Sequence, residues 1–338
     1  MKTNRKQKPK KPKSINRILI HMSALFTSLV LSLLILLIAT ITLIFYGPSP
    51  TARDILVLSS LESSAMKFLP HMYFSQDKID AIILANSAHE TGEISDGDDV
   101  VIPVDKLDLE KIEIIDVSGS TFIGKLMIVN DPSRVYVSVI PEFSETIKGR
   151  KLLDMVKKEN AIGGINGGAF SDLNGVGLGG MPIGIVIKDG VVLVNSSSGG
   201  KNTLIGLDAQ HKLVIGKMNA QQALDRGVVD ALSFGPALIL NGQVQVFGGT
   251  AGGLSPRTAI GQRADGSILL LVIDGRQPNS LGASFKNIAD VLFDHGAVNA
   301  AALDGGSSTL MVYQNQILNQ TSLLTGPRTI PTFFMVSK

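Results

Sequence analysis

The longest apolar run of the chain lies near its N-terminus. Residues 18–46 contain no Asp, Glu, Lys or Arg, and at a rise of about 1.5 Å per residue a helix of this length exceeds the roughly 30 Å of a bilayer core. Eight Lys and Arg residues and no acidic residue occur in the basic tail, residues 1–17. The pattern predicts a single-pass anchor in the cell membrane with a cytoplasmic N-terminus and an extracytoplasmic C-terminal domain. A cleaved signal peptide is the alternative, but its apolar core would span roughly 7–15 residues.

The segment after this run, residues 47–105, carries short helical patterns. Apolar positions have helical spacing through residues 52–68, and Ser75 can cap a second helix that extends to about residue 86. An acidic, glycine-containing stretch follows at residues 90–99. We interpret this segment as a partly helical stalk that lifts the following domain off the membrane.

From residue 106 to residue 338 the pattern changes to short β-like runs separated by turn signals. Asp189-Gly190 and Asn241-Gly242 are typical of hairpin turns, and residues 146–160 and 220–226 have helical spacing. The candidate strands are residues 112–117, 125–129, 135–139, 161–165, 183–188, 191–194, 203–207, 212–215, 237–240 and 243–247. The pattern predicts an α+β domain with a mixed, largely antiparallel sheet.

Two apolar runs near the C-terminus each end in Asp-Gly, at Asp274-Gly275 and at Asp304-Gly305, with an amphipathic helical pattern at residues 281–296 between them. A strand–helix–strand unit of this length is normally a right-handed crossover between parallel strands. Both aspartates then lie at carboxyl ends of strands on one edge of the sheet, where open α/β sheets bind their ligands.

Two arginines are expected at the same edge. The turn at residues 264–266 joins two β-like runs, and in such a hairpin the start of the first strand lies beside the end of the second. Arg257 and Arg276 should therefore converge with Asp274 and Asp304, which predicts a site for an anionic substrate. Because Asp-Gly is also a common turn pair, two ordinary turns are the alternative.

Composition narrows the function classes. Without the eight N-terminal cations, 23 basic residues face 29 acidic ones, a net charge of about −6, which argues against nucleic acid as a partner. The chain has no Cys, so thiolate nucleophiles, zinc–thiolate sites and disulfides are excluded. No Trp and only four Tyr argue against an aromatic platform for stacking sugars.

Five motifs occur in one order along the C-terminal two thirds of the chain. They are INGGAF (165–170), SFGPALILNG (233–242), SPRTAIG (255–261), VIDGRQPNS (272–280) and ALDGGSSTLMV (302–312). Together they resemble the phosphodiester glycosidase family over about residues 110–338. The chain departs from that family's pattern at Ala169, where an aromatic residue is usual, and in the Gly-Gly-Ser after Asp304, where Gly-Gly-Gly-Ser is common.

The resemblance implies hydrolysis of a sugar-1-phosphodiester, and the residues suit that chemistry. Arginine forks match phosphate oxygens, so Arg257 and Arg276 would hold the phosphate. Asp304 would act at the anomeric carbon as nucleophile or as base toward water, with Asp274 as the second carboxylate. Further substrate-binding candidates are Asn166, Gly167, Gly168, Thr258, Gly305, Gly306, Ser307 and Ser308.

Several alternatives stay open at this point. Asp274 could be half of a buried ion pair with either arginine, and Asn166 could only stabilise a strand end. In place of hydrolysis, the domain could be a non-catalytic binding or assembly factor for exopolysaccharide or teichoic-acid-like polymers, so the expected partner is a carbohydrate phosphodiester or an anionic wall polymer. A metal-dependent phosphodiesterase fits less well because the five His form no spaced cluster. No cofactor is certain, although one divalent cation on either aspartate stays open.

Overall fold

The computed structural model describes residues 13–63, 65–89, 92–102, 108–172, 177–196, 202–322 and 326–338. Most of the basic tail, residues 1–12, lies outside the described residues, as do short parts of the expected stalk. The chain divides into two compact units, Met1–Arg53 and Asp54–Lys338.

The first unit is dominated by helix α1, Lys13–Tyr46. Its part Leu19–Tyr46 is long and apolar enough to cross a membrane. This assignment rests on the length and composition of the helix, and a signal sequence near an N-terminus meets the same criteria.

The second unit includes most of the segment expected to form a stalk. Helices α2 (Pro50–Leu61), α3 (Leu69–Tyr73) and α4 (Gln76–Ala85) lead to a short strand, β1 (Ala88–His89), which pairs with strand β13 (Val246–Phe247). Farther along, Ile94 forms a β-bridge with Gly216, and the amide of Val101 donates to the carbonyl of Ala264. The described parts of residues 54–101 are partly helical as expected, but they differ from the expected stalk because their apolar positions and backbone groups pack against the domain.

Many of the other strands lie close to the sequence prediction, whereas β10, β17, β18 and β19 were not among the candidate strands. The remaining strands are β2 (Ile112–Ser118), β3 (Ile123–Val129), β4 (Val135–Val139), β5 (Gly163–Asn166), β6 (Ile185–Lys188), β7 (Val191–Asn195), β8 (Asn202–Asp208), β9 (Leu213–Met218), β10 (Val228–Ser233), β11 (Ala237–Leu240), β12 (Gln243–Val244), β14 (Arg257–Arg263), β15 (Ile268–Ile273), β16 (Ala297–Leu303), β17 (Met311–Tyr313), β18 (Gln316–Ile317) and β19 (Thr332–Val336). The remaining helices are α5 (Leu152–Lys158), α6 (Ala220–Asp225) and α7 (Phe285–Asp294).

Within the described residues these strands form three larger sheets and one two-stranded pair. A seven-stranded sheet has the order β12-β11-β16-β14-β15-β3-β2, and two five-stranded sheets have the orders β7-β6-β10-β8-β9 and β18-β17-β5-β19-β4. Adjacent strands run antiparallel. The predicted α+β class with a largely antiparallel sheet is confirmed.

The predicted crossover lies in the seven-stranded sheet. Strands β15 and β16 each pair antiparallel with β14, which lies between them, so they are parallel to each other. The connecting helix α7 begins at Ser284, whose hydroxyl accepts from the amide of Asn287 in a capping box. The ends of β15 and β16 therefore reach one edge of the sheet, together with the start of β14.

The two faces of this sheet bury different clusters because side chains alternate along a strand. Ala259, Leu269 and Leu271 pack with Ile288 and Leu292 of α7 on one face. The opposite face packs against the two five-stranded sheets through a second cluster that includes Ile260, Leu270, Ile205, Ile165 and Phe334. This alternation decides which side chains at the edge can meet.

One helix is shorter than its sequence pattern. Helical spacing covers residues 146–160, but α5 begins only at Leu152. A turn at residues 145–147 precedes it, and the helix is not continued from there because Arg150 pairs with Ile330 and the amide of Gly149 donates to the carbonyl of Leu178. A Cβ at Gly149 would lie 2.1 Å from the carbonyl oxygen of Gly179, so this close approach requires glycine.

Candidate active site

A cleft of about 320 Å³ opens at the edge of the seven-stranded sheet where β16 ends and β14 begins. Its lining combines charged, aromatic and small residues. They are Glu62, Asp172, Arg257, Asp304 and Arg328; Phe170, Phe234 and Phe285; and Ala169, Gly235, Gly305, Gly306, Ser307 and Ser308.

Asp304 follows the last residue of β16 and faces this cleft. Its backbone is fixed on both sides, since its amide donates to the carbonyl of Gly167 and its carbonyl accepts from the side chain of Asn166. Burial raises the pKa of its carboxyl group to about 7, although hydrogen bonds from the Ser308 hydroxyl and the Gly305 amide favour the charged form. Near neutral pH, this carboxyl group can therefore both accept and release a proton.

Arg257 lies on one side of the cleft, at the first position of β14, with 5% of its surface exposed. Its guanidinium stacks 4.1 Å from the centre of the Phe285 ring and donates to backbone carbonyls of residues 252, 253 and 283. Its Nη1 is 2.9 Å from Oε1 of Glu62, which also lines the cleft. The protein thus holds this cation rigidly and supplies it with one carboxylate partner.

A second ion pair lies in the same cleft. Nη1 of Arg328 is 2.7 Å from Oδ2 of Asp172, and the Arg328 guanidinium lies 4.9 Å from the centre of the Phe170 ring. The hydrogen bond from Arg328 lowers the pKa of Asp172, and this effect outweighs its burial. Arg328 also lowers the pKa of Asp304, but less than burial raises it. The cleft therefore contains one carboxyl group that titrates near neutrality and one that stays ionised.

Arg276 lies at the rim of the cleft. Its Nη2 is 2.8 Å from the backbone carbonyl oxygen of Glu62. A Cβ at Gly306 would lie 3.3 Å from Nη2 of Arg276, and Gly306 has a φ of +57°, so two constraints favour glycine there. Of the four side chains predicted to converge, Arg257 and Asp304 line the cleft, and Arg276 lies beside two of its lining residues, Glu62 and Gly306.

A family comparison adds to this geometry. The sequence profile of the family described as phosphodiester glycosidase matches residues 159–337, which is more than half of the chain and includes every cleft residue except Glu62. The chain belongs to the phosphodiester glycosidase family. The resemblance seen in the five motifs is confirmed, and Glu62 comes from a segment outside the matched domain.

Curated relatives of this phosphodiester glycosidase domain match over about half of the chain. A prophage-derived uncharacterised protein of Bacillus subtilis is 25% identical over 186 residues, 52% of this chain and 28% of that protein. The N-acetylglucosamine-1-phosphodiester alpha-N-acetylglucosaminidase of Mus musculus is 30% identical over 175 residues, 46% of this chain and 32% of that protein. The chain therefore spans about a third or less of the length of these relatives.

Solved structures show the same fold. The zebrafish N-acetylglucosamine-1-phosphodiester alpha-N-acetylglucosaminidase catalytic domain, auto-inhibited by its pro-peptide, has a TM-score of 0.58 at 23% identity, over 73% of this chain and 88% of that chain. An exported protein of Burkholderia pseudomallei has a TM-score of 0.50 at 16% identity, over 64% of this chain and 74% of that chain.

Asp274, the second carboxylate expected in this phosphodiester glycosidase, does not line the cleft. Arg257 pairs across the sheet with Ile273, so the next side chain points to the opposite face. There Oδ1 of Asp274 accepts from the side chain of Asn319 at 3.1 Å and from the amide of Gln320 at 3.0 Å. This amide network stands in place of the ion pair with an arginine that was the alternative for Asp274, and the geometry gives the predicted catalytic role of Asp274 no support.

Four further expected binding residues are used inside the protein. Oδ1 of Asn166 accepts from the Thr258 hydroxyl at 2.8 Å and from the amide of residue 310 at 3.0 Å. The amide of Gly167 donates to the carbonyl of Thr332, and the amide of Gly168 donates to the Thr332 hydroxyl. The Asn166 side chain and the Gly167 carbonyl hold the backbone of Asp304 in place. None of the four residues lines the cleft, whereas Gly305, Gly306, Ser307 and Ser308 do line it.

Sequence reasoning missed three charged cleft residues: Glu62, Asp172 and Arg328. Asp172 follows the INGGAF motif by two positions, which is the one signal that could have indicated it.

The described ranges contain no cluster of three or more His, Asp or Glu side chains that could hold a metal ion.

Proposed function

We propose that this protein is a membrane-anchored, extracytoplasmic hydrolase that cleaves the glycosidic bond of sugar-1-phosphodiesters in glycans or wall polymers. The observation that carries the proposal is the position of Asp304 in a cleft with two arginines, inside the matched family domain. The apolar helix Leu19–Tyr46 and the basic residues before it support the anchor and the orientation.

In this proposal Arg257 and Arg328 bind the phosphate. Both guanidiniums line the cleft. Arg328 can present its fork to two phosphate oxygens, whereas Nε and Nη2 of Arg257 donate to backbone carbonyls, so Arg257 offers Nη1 alone. Each is already paired with a carboxylate, so an incoming phosphate replaces or shares that carboxylate. Arg276 at the rim adds positive charge without lining the cleft.

Asp304 acts at the anomeric carbon as base toward water. A bond forms between the water oxygen and the anomeric carbon while the bond from that carbon to the phosphate oxygen breaks. The proton of the water passes to the Asp304 carboxylate, and the phosphomonoester leaves with the electron pair. Because phosphate is a good leaving group at neutral pH, the reaction needs no strong acid to protonate it. A pKa of about 7 suits a base that must accept a proton and then return it to solvent.

The full chain in phospholipid nanodiscs should release free sugar from α-GlcNAc-1-phosphodiesters and leave a phosphomonoester, with or without EDTA. The products are assayed as reducing sugar against sugar-1-phosphate. Sugar-1-phosphate as product would indicate cleavage of the other ester bond and would overturn the glycosidase proposal. Binding without product would favour the alternative of a binding or assembly factor.

Glu62→Gln should lower the KM for a sugar-1-phosphodiester about tenfold. The Glu62 carboxylate is bound to Arg257 and competes with the substrate phosphate for it, and removing a like charge from an anion site strengthens binding of the anion. The matched control is Glu145→Gln, an exposed acid that does not line the cleft. An unchanged or higher KM in Glu62→Gln would contradict the competition.

A further inference from the structure

A second cavity, of about 550 Å³, adjoins the cleft and takes no part in the hydrolysis described above. Its walls include Leu58 and Leu61 of α2, Ile83 of α4, and Pro236 and Phe285 of the domain. The cavity thus lies between helices α2 and α4 and the matched family domain, and its lining is mainly aliphatic and aromatic.

The cavity and the cleft share two wall residues, Glu62 and Phe285. The Arg257 guanidinium lies 4.1 Å from the centre of the Phe285 ring and 2.9 Å from the Glu62 carboxylate. The cation proposed to hold the phosphate is therefore at the junction. A phosphodiester bound there has Asp304 on one side and the apolar cavity on the other.

We propose that the cavity holds the hydrocarbon chain of a lipid alcohol, so that the substrate class is a lipid-linked sugar-1-phosphodiester. The inference rests on the proposed function and names the group beyond the phosphate. The site then matches an amphiphile along its length, with the sugar at Asp304, the phosphate at Arg257 and the chain in the cavity.

A polar alcohol fits the cavity poorly. Buried hydroxyls without partners cost free energy. Apart from Glu62 at the junction, the polar wall residues are Ser87, whose hydroxyl donates to the carbonyl of Leu84, and Asn86, which has no free group to offer. Its Oδ1 accepts from the amide and the hydroxyl of Thr250, and its Nδ2 donates to Asp54 and to the carbonyl of Ile82. Away from Glu62, a sugar or glycerol would therefore lose hydrogen bonds to water that these side chains do not replace.

The segment that contains α2, α3 and α4 also exposes apolar side chains. Phe68, at the start of α3, and Met72 of α3 have 58% and 70% of their surfaces exposed. Exposed apolar residues grouped on one segment are suited to contact with a lipid surface. The same segment follows the apolar helix directly in sequence, which supports a lipid substrate supplied by the membrane.

The test compares the decyl and the methyl diester of α-GlcNAc-1-phosphate as substrates of the full chain in phosphatidylcholine nanodiscs. Each methylene group moved from water into an apolar wall raises affinity about fourfold. We therefore expect kcat/KM for the decyl diester to exceed that for the methyl diester by at least about tenfold. Ile83→Lys, a half-exposed wall position, should reduce this ratio at least about fivefold.

Leu84→Lys is the matched control, since it places the same charge one position along α4, at a residue outside the cavity wall. Partitioning of the decyl diester into the bilayer is the same for both variants, so it cancels when their ratios of kcat/KM for the two diesters are compared. Leu61→Gln repeats the test at a different wall residue, which belongs to α2. Turnover of the methyl diester reports whether each variant is folded.

Equal kcat/KM values for the two diesters, or a ratio that Ile83→Lys and Leu61→Gln leave unchanged, would overturn the lipid inference alone. Absence of turnover with both diesters would overturn the proposed function. In that case the cavity is still tested by calorimetry, which compares the binding of decyl phosphate with that of methyl phosphate. Tighter binding of decyl phosphate, lost in Ile83→Lys and kept in Leu84→Lys, supports it, and equal binding overturns it.

Discussion

Asp304→Asn should lower kcat for sugar-1-phosphodiesters about 10³-fold while leaving KM within a few-fold of the wild-type value. An asparagine keeps the shape of the side chain but cannot accept the proton of the attacking water, and a positioned general base contributes about 10²–10⁴-fold. Single-turnover measurement of free sugar gives the comparison. A folded variant with a turnover rate near that of the wild type would show that Asp304 is not the general base.

The pH profile of the wild type provides a control for this assignment. Because the base acts in its ionised form and its pKa is about 7, kcat/KM should rise about tenfold per unit below that pH and become constant above it. A profile that falls through pH 7 would assign Asp304 the role of an acid.

Stability should change in the opposite direction to activity. The pKa of Asp304 is about 7 in the fold against an ordinary value of about 3.9, so between these pH values the folded chain holds a proton that the unfolded chain has lost. The free energy of unfolding therefore falls as pH rises through this window. At pH 8, Asp304→Asn should raise that free energy by about 2–4 kcal/mol, and at pH 4 it should change it little. Denaturant unfolding at the two pH values checks this, and equal shifts would contradict the raised pKa.

Much of the sheet could be predicted from the sequence because its signals are local. Alternating apolar residues and Asp-Gly or Asn-Gly turns define strands and hairpins without knowledge of distant residues. The crossover from β15 through α7 to β16 was predictable for the same reason, and with it the position of Asp304 and Arg257 at one edge. These features depend on spacing alone.

Which residues line the cleft depends on strand register and on contacts between distant segments. Neither can be read from the spacing of residues along the sequence. Asp274 and Asp304 follow strands in the same way, yet only Asp304 lines the cleft, because the pairing of Arg257 with Ile273 turns Asp274 to the other face. Asp172 and Arg328 lie 156 residues apart in two loops and meet only in the folded chain. A single sequence contains no pattern that joins them.

Glu62 illustrates a third limit. A stretch of polar and helical character before a domain is typical of a spacer, and nothing in its composition indicates a contact with a specific arginine. In the structure its side chain and its carbonyl reach Arg257 and Arg276, both of which lie in the matched family domain. The segment 54–101 thus contributes to the site as well as to the packing, and its removal would expose both arginines and one wall of the apolar cavity.

Arg328→Ala should lower kcat/KM for sugar-1-phosphodiesters about 10²-fold. The substitution removes a charge-assisted, fork-shaped donor from the phosphate, and it also removes the cation that pairs with Asp172 and lowers the pKa of that carboxyl group. Arg328→Lys keeps the charge but not the fork, so it should recover only part of the loss. Arg263→Ala is the matched control, because this partly buried arginine donates to the carbonyl of His295 and does not line the cleft.

The two contributions of Arg328 can be separated with Asp172→Asn. If Arg328 acts mainly on the phosphate, Asp172→Asn frees its guanidinium and KM should fall or stay constant, while Arg328→Ala raises KM. If the ionised Asp172 is itself needed near the anomeric carbon, Asp172→Asn should lower kcat, because this variant removes a negative charge from beside Asp304, whereas Arg328→Ala leaves that charge in place. A kcat/KM in Arg328→Ala equal to that of Arg263→Ala would show that the phosphate is held by Arg257 without a second arginine.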